Sequence, residues 1–197
     1  MKLYLNKASP YARLALVVAH EKGLADKLAL VWVDPWASAP EFLAVAPLAR
    51  VPVLVADDGA SIADSAAICD YLDAVGSARA LKPPRPQLDR MLEKYGTGRG
   101  LIELAFTATV EKRFHPDKQP LGLRYAETVA RAAVHLESRT ADLNADAPDL
   151  GDLCIAVGLG YADFRMPHVA WRASCPKLAA WQDRMNARPS MKATAPE

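Results

Sequence analysis

The hydrophobic pattern changes period several times over the first 75 or so residues and then settles into a helical rhythm interrupted by Pro and Gly. Lys2 to Asn6 alternates polar and apolar positions as a strand does. Ser9-Pro10 then opens a helix, because Ser is a favoured N-cap and Pro is pre-organised for the first helical position. Leu14, Leu16, Val17 and Val18 give that helix its apolar side and Gly23 its stop. Leu28 to Val33 alternates poorly but is rich in Val, Leu and Trp, which predicts a strand buried on both faces. A helix between two strands implies parallel pairing. Pro35 to Pro47 holds a short helix or turn around Glu41-Phe42-Leu43. Val51 to Val55 predicts a strand with Pro52 at its start, where a missing N–H is tolerated. Asp57-Asp58-Gly59 is a turn of the kind that joins antiparallel strands, leading into Ala60-Ser61-Ile62. A helix follows with Asp64 at its head and Ile68, Tyr71, Leu72 and Val75 facing inward, so the order reads βαβαββα.

Lys82-Pro83-Pro84-Arg85-Pro86 admits no regular structure, since each Pro fixes φ and removes a donor. Beyond it the spacing predicts helices at about 87–112, 120–143, 149–165 and 176–187. The fold class is therefore α/β followed by all-α: an N-terminal domain over 1–76, a Pro-rich linker over 77–86 and an all-helical domain over 87–197. Gly96, Gly98 and Gly100 fall within the first of these helices, each costing roughly 0.8–1 kcal/mol against Ala. They predict a break or a tight backbone approach. Gly96-Thr97-Gly98-Arg99-Gly100 is not a dinucleotide fingerprint, because no strand precedes it and no acidic partner follows at the required distance.

Charge removes some partners from consideration. The chain has 197 residues with 24 Lys+Arg against 23 Asp+Glu, a net charge of +1. That leaves no basic excess for a phosphate backbone, so nucleic acid is not an expected partner. Half the residues are apolar but dispersed, and no run approaches the roughly 20 needed to cross a bilayer. The N-terminus lacks the long apolar core of a leader, so a soluble, cytoplasmic protein without a membrane partner is expected. Cys69, Cys154 and Cys175 are widely spaced, without a C-x-x-C or paired His. Neither a disulfide scaffold nor a metal site is expected, and Cys69 and Cys154 read as small core residues.

Three segments could carry chemistry. Ser9 heads the first helix, where backbone N–H groups and the macrodipole favour an anion; the plain alternative is a cap. Arg50-Val51-Pro52 leads into a strand, and a cis bond there would turn the Val51 backbone toward an extended ligand. Asp64-Ser65 heads another helix, where capping is again the plain alternative. A zwitterionic head group would suit the same position, with its carboxylate at the helix terminus and its ammonium on Asp64.

Together, the order and spacing of these segments resemble the glutathione S-transferase superfamily over nearly the whole chain, and its small bacterial serine-type members most. Ser9-Pro10-Tyr11-Ala12-Arg13 looks like S-P-[FY]-x-R, and Ala46 to Leu54 resembles N-P-x-G-K-V-P-x-L. Asp64 to Ile68 resembles E-S-x-A-I. Asp149-Leu150-Gly151-Asp152, followed by Gly158 to Arg165, looks like the family's capping box and buried helix. The resemblance implies a thioredoxin-like N-terminal domain, an all-helical C-terminal domain, a homodimer and glutathione as co-substrate. It also implies a cis Val51–Pro52 bond, with Val51 pairing with the cysteinyl part of glutathione in a site that Tyr11, Arg50 and Pro52 help to form. Asp64 and Ser65 would hold the γ-glutamyl head and Ser9 would face the thiol, with Tyr4 and Tyr11 as alternative donors. The electrophile pocket would lie between the domains, beside the helix containing Arg99, Glu103 and Phe106.

The sequence departs from the family pattern at four places. Asn6 stands where some classes have another Ser, Ala49 replaces the usual Gly, Asp64 the commoner Glu and Asp149 a Ser or Thr. A serine at position 9 cannot form a mixed disulfide, which argues against reductase chemistry. The resemblance thus implies conjugation of the glutathione thiolate to small electrophiles, with peroxide reduction as a side activity and a detoxifying role. The alternative is a non-catalytic member of the fold that binds a protein or stores a ligand.

Overall fold

The computed structural model describes residues 1–117 and 121–196. The chain forms two compact units, one of residues 1–81 with 192–197 and the other of residues 82–191.

The first unit is built on a four-stranded sheet: β1 (Lys2–Leu5), β2 (Ala29–Trp32), β3 (Val53–Val55) and β4 (Ser61–Ala63), in the order β2-β1-β3-β4. β2 lies parallel to β1, whereas β3 is antiparallel to both β1 and β4. Helix α1 (Pro10–Glu21) carries the chain from β1 to β2, as a parallel pair requires. Its stop is Gly23, whose φ of +66° is reached without the penalty a Cβ brings. Leu24 N then donates to Ala19 O at 2.8 Å, closing the helix end. The short α2 (Pro40–Leu43) sets Phe42 into a cluster with Ala46 and Val53, against which Tyr4, Val33 and Val51 pack.

Helix α3 (Ser65–Val75) buries Ile68, Cys69 and Leu72 completely, each large aliphatic side chain adding about 1.5–3 kcal/mol of burial. Two expectations need correction here. Val75 is 48% exposed and Tyr71 only half-buried; Cys69 takes the inward position instead, because the helix's apolar stripe runs through 68, 69 and 72. β2 is not buried on both faces: it is an edge strand, with Leu30 and Trp32 at 39% and 51% exposure.

The first unit also continues into the segment expected to be linker. Lys22 is buried, pairs with Asp73 at 3.0 Å, and donates to Ala78 O and Arg79 O at 2.7 and 3.0 Å. Asp73 accepts from Leu81 N at 2.8 Å, and Leu81 is buried. These contacts hold 77–81 against the helices of the first unit.

The second unit contains α4 (Leu88–Phe114), α5 (Gly122–Ser138), α6 (Leu150–Arg165), the one-turn α7 (Trp171–Ser174), α8 (Pro176–Asn186) and the first residues of α9 (Pro189–Ala193). Pro120, the expected first residue of the second helix, lies outside the described residues. That helix ends at Ser138 rather than 143, and a short 3-10 turn follows at Thr140–Asp142. The glycine triplet does not break α4, and of the three only Gly98 lies where α4 and α6 come close together. A Cβ at Gly98 would stand 2.6 Å from the carbonyl carbon of Cys154 and from Ile155 N, while at Gly96 and Gly100 it would meet nothing within 4 Å. Gly151 and Gly158 face the same crossing from α6, where an added Cβ would stand 2.6 Å from Met91 O and 3.0 Å from Gly98 O, respectively.

The α6 N-terminus is a reciprocal capping box: Asp149 Oδ1 accepts from Asp152 N at 3.0 Å, and Asp152 Oδ2 from Asp149 N at 3.1 Å. Lys94 reaches both carboxylates, at 2.7 and 2.8 Å. Cys69, Cys154 and Cys175 are free thiols, all buried, and Trp171 and Trp181 are core residues.

Candidate functional site

Strand register decides which loops meet. Tyr4 pairs with Val53, Leu5 with Trp32, and Val53 with Ala63. The C-terminal ends of β1, β2 and β4 and the N-terminal start of β3 therefore share one end of the sheet. Three segments far apart in sequence emerge there: the loop 6–9 after β1, Arg50-Val51-Pro52 before β3, and Asp64-Ser65 after β4. The N-termini of α1 and α3 open at that same end, so both positive helix ends lie where an anion would be stabilised.

Ser9 is the N-cap of α1, with φ −87° and ψ 117°, and is 8% exposed. Its Oγ accepts from Ala12 N at 3.2 Å, which uses an oxygen lone pair and leaves the O–H as a donor. Its backbone N donates to Asn6 O at 3.1 Å. Tyr11, one residue into the helix, is half-buried. Tyr4, the other alternative donor, stacks its ring against Phe42 with centroids 6.1 Å apart. Arg13 is buried on α1, and loss of solvent pushes its guanidinium down to about 10.

The Val51–Pro52 bond is cis, as the resemblance implies. Val51 is half-buried, Pro52 buried and Arg50 exposed. Two residues earlier, Ala49 adopts φ +49°, the left-handed conformation that explains why the family pattern has Gly there. Asp64 lies at φ +73° and ψ 132°, a strained backbone for a residue with a side chain. Its Oδ1 accepts from Ala66 N at 2.7 Å, so this oxygen caps α3. Ser65 begins the helix and is buried.

Arg99, Glu103 and Phe106 belong to the second unit. Their spacing places them along one face of α4, with Arg99 and Phe106 half-buried and Glu103 exposed. Arg99 lies near enough to Cys154 for its charge to favour the thiolate, but burial dominates and raises the Cys154 pKa. Among the described residues, no group of three or more His, Cys, Asp or Glu is arranged to hold a metal ion. No described helix is long and apolar enough to cross a membrane.

In the sequence Asn6 stands out only as a departure from a serine pattern. In the structure its side chain ties the loop together: Nδ2 donates to Val33 O and Oδ1 accepts from Ala8 N, both at 3.0 Å. The available signal was an Asn just after a strand and two residues before an N–H, the setting of an Asx turn.

A sheet of order β2-β1-β3-β4 with a helix cap, an X-Pro and a second helix cap at one end defines a thioredoxin-like domain, here joined to an all-helical one. Residues 8–75 match the family described as Glutathione S-transferase, N-terminal domain. A glutathione transferase family member from Pseudomonas fluorescens Pf-5, whose crystal structure contains bound glutathione, is 31% identical, with a TM-score of 0.91 over 100% of this chain and 98% of that one. The GST-like protein YibF of Escherichia coli is 27% identical over 100% of this chain and 98% of its own length. Glutathione S-transferase 2 of Saccharomyces cerevisiae is 28% identical over 98% and 88%. The chain belongs to the glutathione S-transferase superfamily.

Proposed function

We propose that the protein binds glutathione at the end of the sheet where Ser9, Val51-Pro52 and Asp64-Ser65 converge, and conjugates its thiolate to small electrophiles. The observation that carries this reading is the register that brings those three segments, together with two helix N-termini, to one place. The glutathione bound in the Pseudomonas relative supports the same ligand. In this site the Val51 backbone pairs with the cysteinyl part, Asp64 and Ser65 hold the γ-glutamyl head, and Tyr11, Arg50 and Pro52 complete the wall. The face of α4 carrying Arg99, Glu103 and Phe106 receives the electrophile. The protein works as a cytoplasmic homodimer in detoxification.

Ser9 is the group that acts on sulfur. A free thiol titrates at about 8.5, and lowering it by about 2 units requires roughly 2.7 kcal/mol of preference for the thiolate. A hydroxyl hydrogen bond to a charged acceptor contributes about 1.5–3 kcal/mol and a helix N-terminus about 0.3–1, so the two suffice together. The thiolate then forms a carbon–sulfur bond as a halide or epoxide oxygen leaves with the bonding electrons. With a peroxide, two glutathiones are oxidised to the disulfide while the O–O bond is reduced to alcohol and water.

Titrating the chain with glutathione by calorimetry tests the reading. Saturable binding, one per chain, is expected; Ser9→Ala should then retain affinity and lose most of the conjugation rate. Absence of binding at millimolar glutathione would overturn it in favour of a non-catalytic binding module.

A further inference from the structure

We infer that Asn6 is a positioning residue that sets the Ser9 hydroxyl for its role in glutathione conjugation; the inference rests on the function proposed above. Nδ2 of Asn6 donates to Val33 O at 3.0 Å, closing the loop 6–9 onto the chain leaving β2. Oδ1 accepts from Ala8 N at 3.0 Å, and the Asn6 carbonyl accepts from Ser9 N at 3.1 Å. One residue thus anchors the backbone on the N-terminal side of Ser9, while the Ala12 N–H holds its Oγ at 3.2 Å from the other. With an acceptor site of that oxygen committed to Ala12, the direction of the O–H is set by where this backbone places Cβ.

The amide is suited to this task in one orientation only. Its donor end faces a carbonyl and its acceptor end an N–H, so a flipped amide would mismatch both. Asp would keep the Ala8 bond but oppose two oxygens at Val33. Ala would leave the Ala8 N–H and the Val33 carbonyl without this side-chain partner. Misplacing a catalytic donor by about 1 Å costs on the order of 100-fold in rate, which makes the loop's exact backbone position consequential.

The test compares the full chain with Asn6→Ala, Asn6→Asp, Ser9→Ala and the double variant Asn6→Ala/Ser9→Ala. Three quantities are measured: glutathione affinity by calorimetry, ionisation of bound glutathione by thiolate ultraviolet absorbance against pH, and kcat and KM with an activated chloronitroarene. Asn6→Ala should lower kcat about 10- to 100-fold, move the bound thiol's titration back toward about 8.5, and change affinity less than about threefold, a loss of roughly 0.7 kcal/mol. Adding it to Ser9→Ala should change nothing further, since both act through one hydroxyl. A bound thiol that titrates in Asn6→Ala as in the parent overturns the inference, as does an additive double variant. If Asn6→Ala does not fold, Asn6→Asp supplies the same readouts. A parent that binds no glutathione defeats the proposed function; a parent that ionises it, beside an indifferent Asn6→Ala, defeats this inference alone.

Discussion

Asp64 caps α3 through Oδ1 while its backbone sits at φ +73°, so its structural role and its proposed ligand role must be separated by substitution. Asp64→Asn keeps a capping oxygen and tolerates positive φ, but removes the charge that would meet an ammonium group. It should weaken glutathione binding about 10- to 100-fold, the equivalent of a charged hydrogen bond of roughly 1.5–3 kcal/mol, with little change in melting temperature. Asp64→Ala should show the same loss plus about 1 kcal/mol of lost cap. Equal affinity in both variants and the parent would remove Asp64 from the site. At Ala49, with φ +49°, the expectation concerns stability alone. A left-handed Ala costs about 1–2 kcal/mol and Gly's unfolded freedom about 0.5–1, so Ala49→Gly should stabilise by up to about 1.5 kcal/mol. Thermal melting should rise by a few degrees; a fall would mean that the left-handed turn is not strained.

At the scale of elements, the crossing of α4 and α6 shows how glycines in one helix can have opposite effects. Gly98→Ala would place a methyl 2.6 Å from α6 backbone, which cannot yield as a flexible side chain does, and should destabilise by about 1–3 kcal/mol. Gly96→Ala and Gly100→Ala meet open space and should each stabilise by roughly 0.8–1 kcal/mol. Chemical denaturation of the three variants reads the contrast directly, and three equal shifts would deny the close approach. The α6 capping box responds to pH. Burial raises Asp152 from 3.8 to about 6 despite its bond to Lys94. A carboxylate that holds its proton more tightly when folded contributes stability below about 3.8, and that contribution is lost as pH rises through about 6. The stability lead of the parent over Asp152→Asn should therefore narrow between pH 4 and 7; a widening lead would mean that Lys94 dominates. These elements were legible to different degrees. Helix starts at Ser9, Asp64 and Asp149 were readable because capping chemistry is local. The exposure of β2 was not, because an apolar run looks the same at the centre and at the edge of a sheet, and only pairing order distinguishes them. The glycine triplet announced a constraint, but α6, the partner that gives it meaning, lies about 50 residues further along.

Across the whole molecule, the candidate site residues stand out in the sequence only as a set. Ser9, Pro52 and Asp64 each have ordinary structural uses, and only β-sheet register brings them to one end of the first unit. The sequence marks Asn6 only as a departure from a serine pattern, because its bond to Val33 is fixed by the parallel pairing of β1 and β2 rather than by neighbours in sequence. The three buried cysteines allow each unit's opening to be followed separately, with Cys69 on α3 of the first and Cys154 on α6 of the second. Burial raises the Cys154 pKa, so its thiol is inert until the surrounding structure opens. Labelling with an alkylating reagent, resolved by mass spectrometry, then reports opening rather than intrinsic reactivity. S-methylglutathione, which has no thiol to consume the reagent, should slow Cys69 labelling about 100-fold at a hundred times its Kd if the opened first unit does not bind it. Cys154 in the same sample shows whether the second unit shares that opening: equal slowing means that both unfold in one step, and unchanged labelling means that the second opens independently. A Cys69 rate indifferent to ligand would place glutathione binding outside the unit that contains Ser9, Val51 and Asp64.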